Sequence, residues 1–117
     1  SDGVSIVLEK ISFPPDSARL TPSEAKRLDR IADILADWPD NDILVTGHTA
    51  LAGTAEGRRR LSMERARVVG EYLIARSGRA PETVLYRGMG AAEPIADNAD
   101  EAGRRRNRRV EITILDN

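Results

Sequence analysis

The chain contains no cysteine and only one histidine, His48. Disulfides, thiolate metal sites and cysteine nucleophiles are therefore excluded, and no multi-histidine metal centre can form within one chain. Aromatic residues make up only 3 %, as Phe13, Trp38, Tyr72 and Tyr86. A platform that stacks single-stranded nucleic acid needs more of them, set close together. Long apolar runs are also missing. None approaches the roughly 18 residues of a membrane-spanning helix, so no direct membrane insertion is expected. No basic-then-apolar leader opens the sequence, so any secretory signal is expected outside this segment. Charge of one sign is absent too: 18 bases against 19 acids leave −1. Domains built for non-specific nucleic-acid binding are usually clearly basic, and no nucleic-acid partner is expected.

What is present suits a single folded unit, and residues 1–117 are read as one domain. A length of 117 residues is close to the commonest domain size. Apolar residues at 40 % and charged residues at 32 % supply a core and argue against disorder. Sixteen of the 18 bases are arginine, with Lys10 and Lys26 the two lysines. Arginine presents a planar fork matched to carboxylates and phosphates.

Residues 4–13 (VSIVLEKISF) read as a strand rich in β-branched and aliphatic side chains, stopped by Pro14 and Pro15. Thr21-Pro22-Ser23-Glu24 is a capping box with proline at the first helical position. Helical spacing of Ala25, Leu28, Ile31, Ala32 and Leu35 follows, predicting a helix over Thr21–Trp38. Ile43, Leu44 and Val45 make a short buried strand. Residues 48–60 read as a loop, and Ser62 as the N-cap of a second helix to Arg76 with Ala66, Val69, Tyr72 and Leu73 buried. A third strand is expected at 83–87, a long polar loop at 88–107 and an alternating strand at 108–115. The order predicts an α+β fold: a two-layer β-α-β-α-β-β sandwich with a mixed four-stranded sheet and two long helices on one face.

Five strings exceed what a generic α/β domain needs: FPPDSARL (13–20), VTGHTALAG (45–53), LSMERA (61–66), GMGAAEPIADN (88–98) and GRRRNRRVEI (103–112). In order and spacing the chain resembles the OmpA-like C-terminal domain, also seen in peptidoglycan-associated lipoprotein and in the flagellar stator protein MotB. The resemblance runs from about Val4 to Leu115. It implies a non-catalytic periplasmic module, without cofactor or metal, forming the C-terminal part of a larger protein tied to the outer membrane or cell wall. The implied partner is the peptide stem of peptidoglycan, typically at meso-diaminopimelate, with other envelope proteins as further partners. An aspartate in the family's loop pairs with the ligand ammonium, and an arginine on the second helix pairs with its carboxylate.

Carried over residue by residue, the implied ligand-binding set is Thr49, Ala50, Arg58, Arg65 and Arg108. Arg65 is the arginine of the LSxxRA string and Arg108 the first of NRRVEI. Thr49 precedes the position of the expected aspartate, which here is Ala50. Arg58 stands where the family often has asparagine. The resemblance thus implies a cleft beside Gly47–Gly53 bordered by Arg65, Arg108 and Arg58, with no carboxylate on the Ala50 side. The GHTA form also looks like a variant in spirochaete members, whose peptidoglycan carries ornithine instead of diaminopimelate.

Each assignment has a plainer alternative. Arg65 is a carboxylate clamp, or else a solvated residue or a partner for an acid across the groove. Arg108 contacts ligand or braces the 88–107 loop. His48 lacks the nucleophile and orienting partner of a general base and is read as bracing its loop by a hydrogen bond. Asp16 and Ser17 suit a turn, and Glu111 the outward face of the last strand. The arginine run 104–109 suggests an anionic polymer, but acids at Asp97, Asp100 and Glu101 lie just upstream. No nucleophile–base pair or catalytic carboxylate pair can be named, so a wall-cleaving enzyme is disfavoured. Two readings remain: a wall anchor, or a degenerate scaffold that no longer grips diaminopimelate and serves as a structural or protein-interaction domain.

Overall fold

The computed structural model describes residues 5–116, with side chains from Lys10 onward. Val4, the first residue of the expected opening strand, lies outside the described residues. The elements are β1 (Ser5–Ser12), α1 (Pro22–Leu35), β2 (Ile43–Gly47), α2 (Ala55–Ser77), a short 3-10 turn (Pro81–Thr83), β3 (Val84–Gly88), α3 (Glu101–Asn107) and β4 (Arg109–Leu115). The sheet runs β1-β4-β2-β3. β4 is antiparallel to both neighbours, while β2 and β3 are parallel and joined through α2. This is the expected mixed four-stranded sheet of an α+β fold.

α1 and α2 pack against each other and against the strands. Their inward side chains, Leu28, Ile31, Leu35, Ala66, Val69 and Leu73, share one core with Ile11, Ile43, Val45, Val84, Val110, Ile112 and Ile114. Burying these aliphatic groups is the main drive to fold, at about 1.5–3 kcal/mol for each large side chain. β2 can approach α2 closely because Gly47 has no side chain. A Cβ there would collide with the carbonyl of Ser62.

The three largest departures from the sequence reading each have a local reason. α1 ends at Leu35, three residues before Trp38. Asp37 N–H and Trp38 N–H bond instead to Ile34 and Leu35 carbonyls, tightening the last turn ahead of Pro39. α2 begins at Ala55, not after Ser62, because Thr54 caps it by accepting from Gly57 N–H at 3.0 Å. Its first two turns lie near the surface and carry no apolar stripe, so periodicity could not reveal them. The expected loop 88–107 ends in α3, capped by Asp100 accepting from Gly103 N–H at 2.7 Å. Seven residues are too few to show a helical period.

Candidate functional site

The sheet end that carries the C-termini of β1, β2 and β3 meets the start of β4, and the connecting segments fold over it. Thr49 N–H donates to the Gly90 carbonyl at 2.9 Å, and Leu51 N–H donates to Asn98 Oδ1 at 3.2 Å. Ser62, fully buried, donates to the Arg59 carbonyl and accepts from Gly90 N–H at 2.9 Å. Asn107, also fully buried, accepts from Ile95 and Ala96 N–H and donates to Ala96 O and Asn98 Oδ1. All four of its polar valences are used, so one side chain fixes the 95–98 segment. Asn107 is a support that motif reading did not single out, and Ser62, expected as a helix N-cap, instead sits inside α2 and holds the Gly90 segment.

A cleft of about 150 Å³ lies on this platform, lined by Pro15, Asp16, Thr49, Ala50, Ala52, Leu61, Arg65, Glu101, Arg104 and Arg108. That is well below the roughly 300–1,000 Å³ of whole small-molecule sites. It suits an end group of a longer ligand. Four of the five carried-over residues, Thr49, Ala50, Arg65 and Arg108, come together here. Arg58 does not line it. Arg58 sits beside Leu51, Met89 and Gly90, and its guanidinium donates to the Gly53 carbonyl at 2.6 Å.

Arg65 is fully buried. Its guanidinium donates from Nε to Ser17 O at 2.8 Å, from one terminal nitrogen to His48 O at 3.0 Å and from the other to Pro14 O at 2.9 Å. It also lies over the Phe13 ring, 5.4 Å from the centroid. Neither plain alternative matches this arrangement: Arg65 is not solvated, and among the described residues no carboxylate forms an ion pair with it. Three of its five N–H groups hold main-chain carbonyls from two segments, β1–α1 and β2–α2. Burial, aided by the nearby Arg108 charge, pushes its pKa down to about 10 while Asp16 acts to raise it. The cation therefore persists at neutral pH.

Arg108 donates from Nε to Phe13 O at 3.2 Å and forks onto Glu101, 2.7 Å to Oε2 and 3.4 Å to Oε1. The hydrogen bond from Arg108, with support from Arg104, holds the Glu101 carboxyl below its usual pKa. Arg104 also donates to Asn98 O at 2.9 Å. Two carboxylates, Asp16 and Glu101, thus stand at a cleft expected to hold none beside Ala50. Glu101 is tied to cations, whereas Asp16 has no ion pair or hydrogen-bond partner among the described residues.

His48 braces its loop through the main chain only. Its N–H donates to Arg109 O at 2.8 Å and its carbonyl accepts from Arg65. The expected side-chain hydrogen bond is absent. The imidazole is 1 % exposed, neither nitrogen has a hydrogen-bond partner among the described residues, and Nε2 lies 4.0 Å from Glu111 Oε1. Burial, then Arg109, pushes its pKa down to about 4. The ring is therefore neutral at neutral pH. Glu111 accepts from Arg109 Nε at 2.8 Å, a structural pair on the outer face of the sheet.

The OmpA family profile matches residues 12–108. The chain belongs to the OmpA family. Peptidoglycan-binding protein ArfA of Mycobacterium tuberculosis is 40 % identical over 104 residues, covering 89 % of this chain and 32 % of ArfA. The chain thus spans about a third of that relative's length. The cell wall anchor of the T6SS from Pseudomonas aeruginosa superposes with a TM-score of 0.77 at 35 % identity, covering 92 % of this chain and 80 % of that one. Peptidoglycan-associated lipoprotein from Burkholderia pseudomallei superposes with a TM-score of 0.83 at 27 % identity, covering 92 % and 89 %. OmpA-like domains of this kind are binding and anchoring modules, and this one is not an enzyme.

Proposed function

We propose that this domain anchors a larger envelope protein to the cell wall, in the periplasm, by gripping the peptide stem of peptidoglycan without cleaving it. The observation that carries the reading is the cleft itself. Two buried arginines, Arg65 and Arg108, border it beside Thr49 and Ala50, in a chain whose relatives include a peptidoglycan-binding protein and a cell wall anchor. The cleft volume of about 150 Å³ fits the zwitterionic end of a diamino-acid side chain, not a whole muropeptide. Arg65, fully buried and committed to three carbonyls, gives the cleft wall a positive charge that favours a ligand carboxylate.

One observation favours a second reading, a scaffold that has lost this grip. Ala50 offers no anion, and Glu101 already occupies the Arg108 fork. Losing one charge-assisted hydrogen bond costs about 1.5–3 kcal/mol, or roughly ten- to a hundredfold in affinity. Pull-down of the domain with purified sacculi separates the two. Retention on diaminopimelate-type or ornithine-type walls supports the anchor. Retention on neither supports the scaffold.

A further inference from the structure

The end of the molecule opposite the cleft is built differently. Ile43 pairs there with Val84 and Ile114, so the starts of β2 and β3 and the finish of β4 share one pole. The α1–β2 connection is tied to the same pole. Asn41 Nδ2 donates to Leu115 O at 2.8 Å, and Leu115 N–H donates to Asp42 O at 2.9 Å. Arg79 locks this connection from below. Its guanidinium donates to Asn41 O at 2.7 Å, Trp38 O at 3.2 Å and Leu35 O at 3.4 Å, and its Nε donates to Thr83 Oγ1 at 2.9 Å.

Trp38, the only tryptophan of the chain, stands on this fixed backbone and is 42 % exposed. Ile34, in the last turn of α1, is 47 % exposed. The core takes Leu28, Ile31 and Leu35 from the same helix and leaves these two in water. A tryptophan already held by its backbone loses little freedom when a partner covers it, and such residues dominate binding energy at protein interfaces. Acids frame the pair. Asp33, Asp37 and Asp40 are exposed, and their carboxylates have no ion pair or hydrogen bond among the described residues. Arg79 spends its donors on carbonyls and one hydroxyl. Arg30, one turn before Ile34, is exposed, so three acids stand against one base around the apolar pair. This local excess of one sign, in a chain of net charge −1, calls for a partner of the opposite sign. A lysine or arginine laid over the indole would gain a cation–π contact while its neighbours meet the aspartates.

We propose that the C-terminal end of α1 is a docking surface for a basic, amphipathic segment of another protein. The segment sets an apolar side chain against Ile34 and Trp38 and its lysines or arginines against Asp33, Asp37 and Asp40. The surface lies at the pole away from the cleft, so a partner there and a ligand in the cleft do not compete. It stands independently of what the cleft binds.

Trp38 fluorescence reports on this face alone, because no other tryptophan contributes. The probes are a short helical peptide of leucine and lysine and its counterpart of leucine and glutamate. The Leu/Lys peptide should shift Trp38 emission to the blue and protect it from acrylamide, whereas the Leu/Glu peptide should do neither. Asp33→Asn, Asp37→Asn and Asp40→Asn combined should weaken Leu/Lys binding by about tenfold or more, and Trp38→Ala, read by calorimetry, by a similar factor. Glu56→Gln with Glu64→Gln on α2 removes as exposed a pair of acids elsewhere and should leave affinity within about twofold. Circular dichroism checks that every variant is folded. Equal loss from the α2 pair, or undiminished binding by the triple aspartate variant, overturns the proposal. So does concentration-dependent dimerisation of the domain alone that Trp38→Ala abolishes, which assigns the face to a second copy. An equal blue shift with phosphatidylcholine vesicles assigns it to a membrane and overturns the proposal too.

Discussion

Removing the Arg65 guanidinium tests whether this arginine is primarily a structural strut. Arg65→Ala deletes three charge-assisted hydrogen bonds to Pro14, Ser17 and His48 carbonyls, at 2.8–3.0 Å. It also removes the contact over the Phe13 ring. A buried carbonyl left without a donor costs about 1–3 kcal/mol. Three would reach the upper end of single-mutant effects, but the neighbouring cleft lets water reach some of them. A loss of about 3–5 kcal/mol is expected, a large share of the roughly 5–15 kcal/mol that holds a domain together. With a urea m-value of about 1.5 kcal/mol/M, the unfolding midpoint should fall by about 2–3 M. Arg65→Lys keeps the charge, but an ammonium does not reproduce the planar fork. It should lose about half as much. Equilibrium urea unfolding followed by circular dichroism measures both. A midpoint shift below about 0.5 M for Arg65→Ala would refute the reasoning, because the three carbonyls would then be satisfied without the guanidinium. A large shift carries a further consequence. Lost sacculus binding by Arg65→Ala would not prove ligand contact unless corrected for the folded fraction.

Other expectations are more local. His48 has a folded pKa of about 4 against 6.5 for the free side chain, so the neutral form is favoured in the fold. Its contribution is present above about pH 6.5 and lost as pH falls toward 4, at most about 3 kcal/mol. Urea unfolding of wild type and His48→Gln across pH 4–7.5 should show a shallower pH slope for the variant; equal slopes would exclude His48 as the cause. Ala50→Asp alone should raise diaminopimelate affinity by about tenfold in calorimetric titration. Adding Arg58→Asn should change that gain by less than about twofold, since Arg58 faces Gly53 and the Gly90 segment, outside the cleft. Glu101→Gln weakens the internal partner of Arg108 and should strengthen binding of simple carboxylates such as pimelate, read in the same titration. Gly47→Ala should lower the thermal midpoint by several degrees, because the added methyl meets the Ser62 carbonyl, a backbone atom.

The sequence by itself determined the fold class and the broad kind of module. Strand alternation at Val110, Ile112 and Ile114, and the helical stripe Leu28, Ile31, Ala32 and Leu35, follow from burial on one face. Both patterns repeat at the period of their element, so they are legible without coordinates. The motif strings carried Thr49, Ala50, Arg65 and Arg108 to one place, and the tertiary structure groups them around one cleft. The fold also decided what composition and spacing do not encode. Arg58 lies outside the cleft because α2 starts at Ala55 and carries position 58 about two turns before Arg65 along the helix, beside Leu51 and the Gly90 segment. Glu101 meets Arg108 because a seven-residue helix, too short to show a period, sets them about two turns apart on one face. Asp16 reaches the cleft because Arg65, 49 residues later, fixes the carbonyls on either side of it. Such contacts join chain segments far apart in sequence, and only the packed sheet end brings them within hydrogen-bond distance.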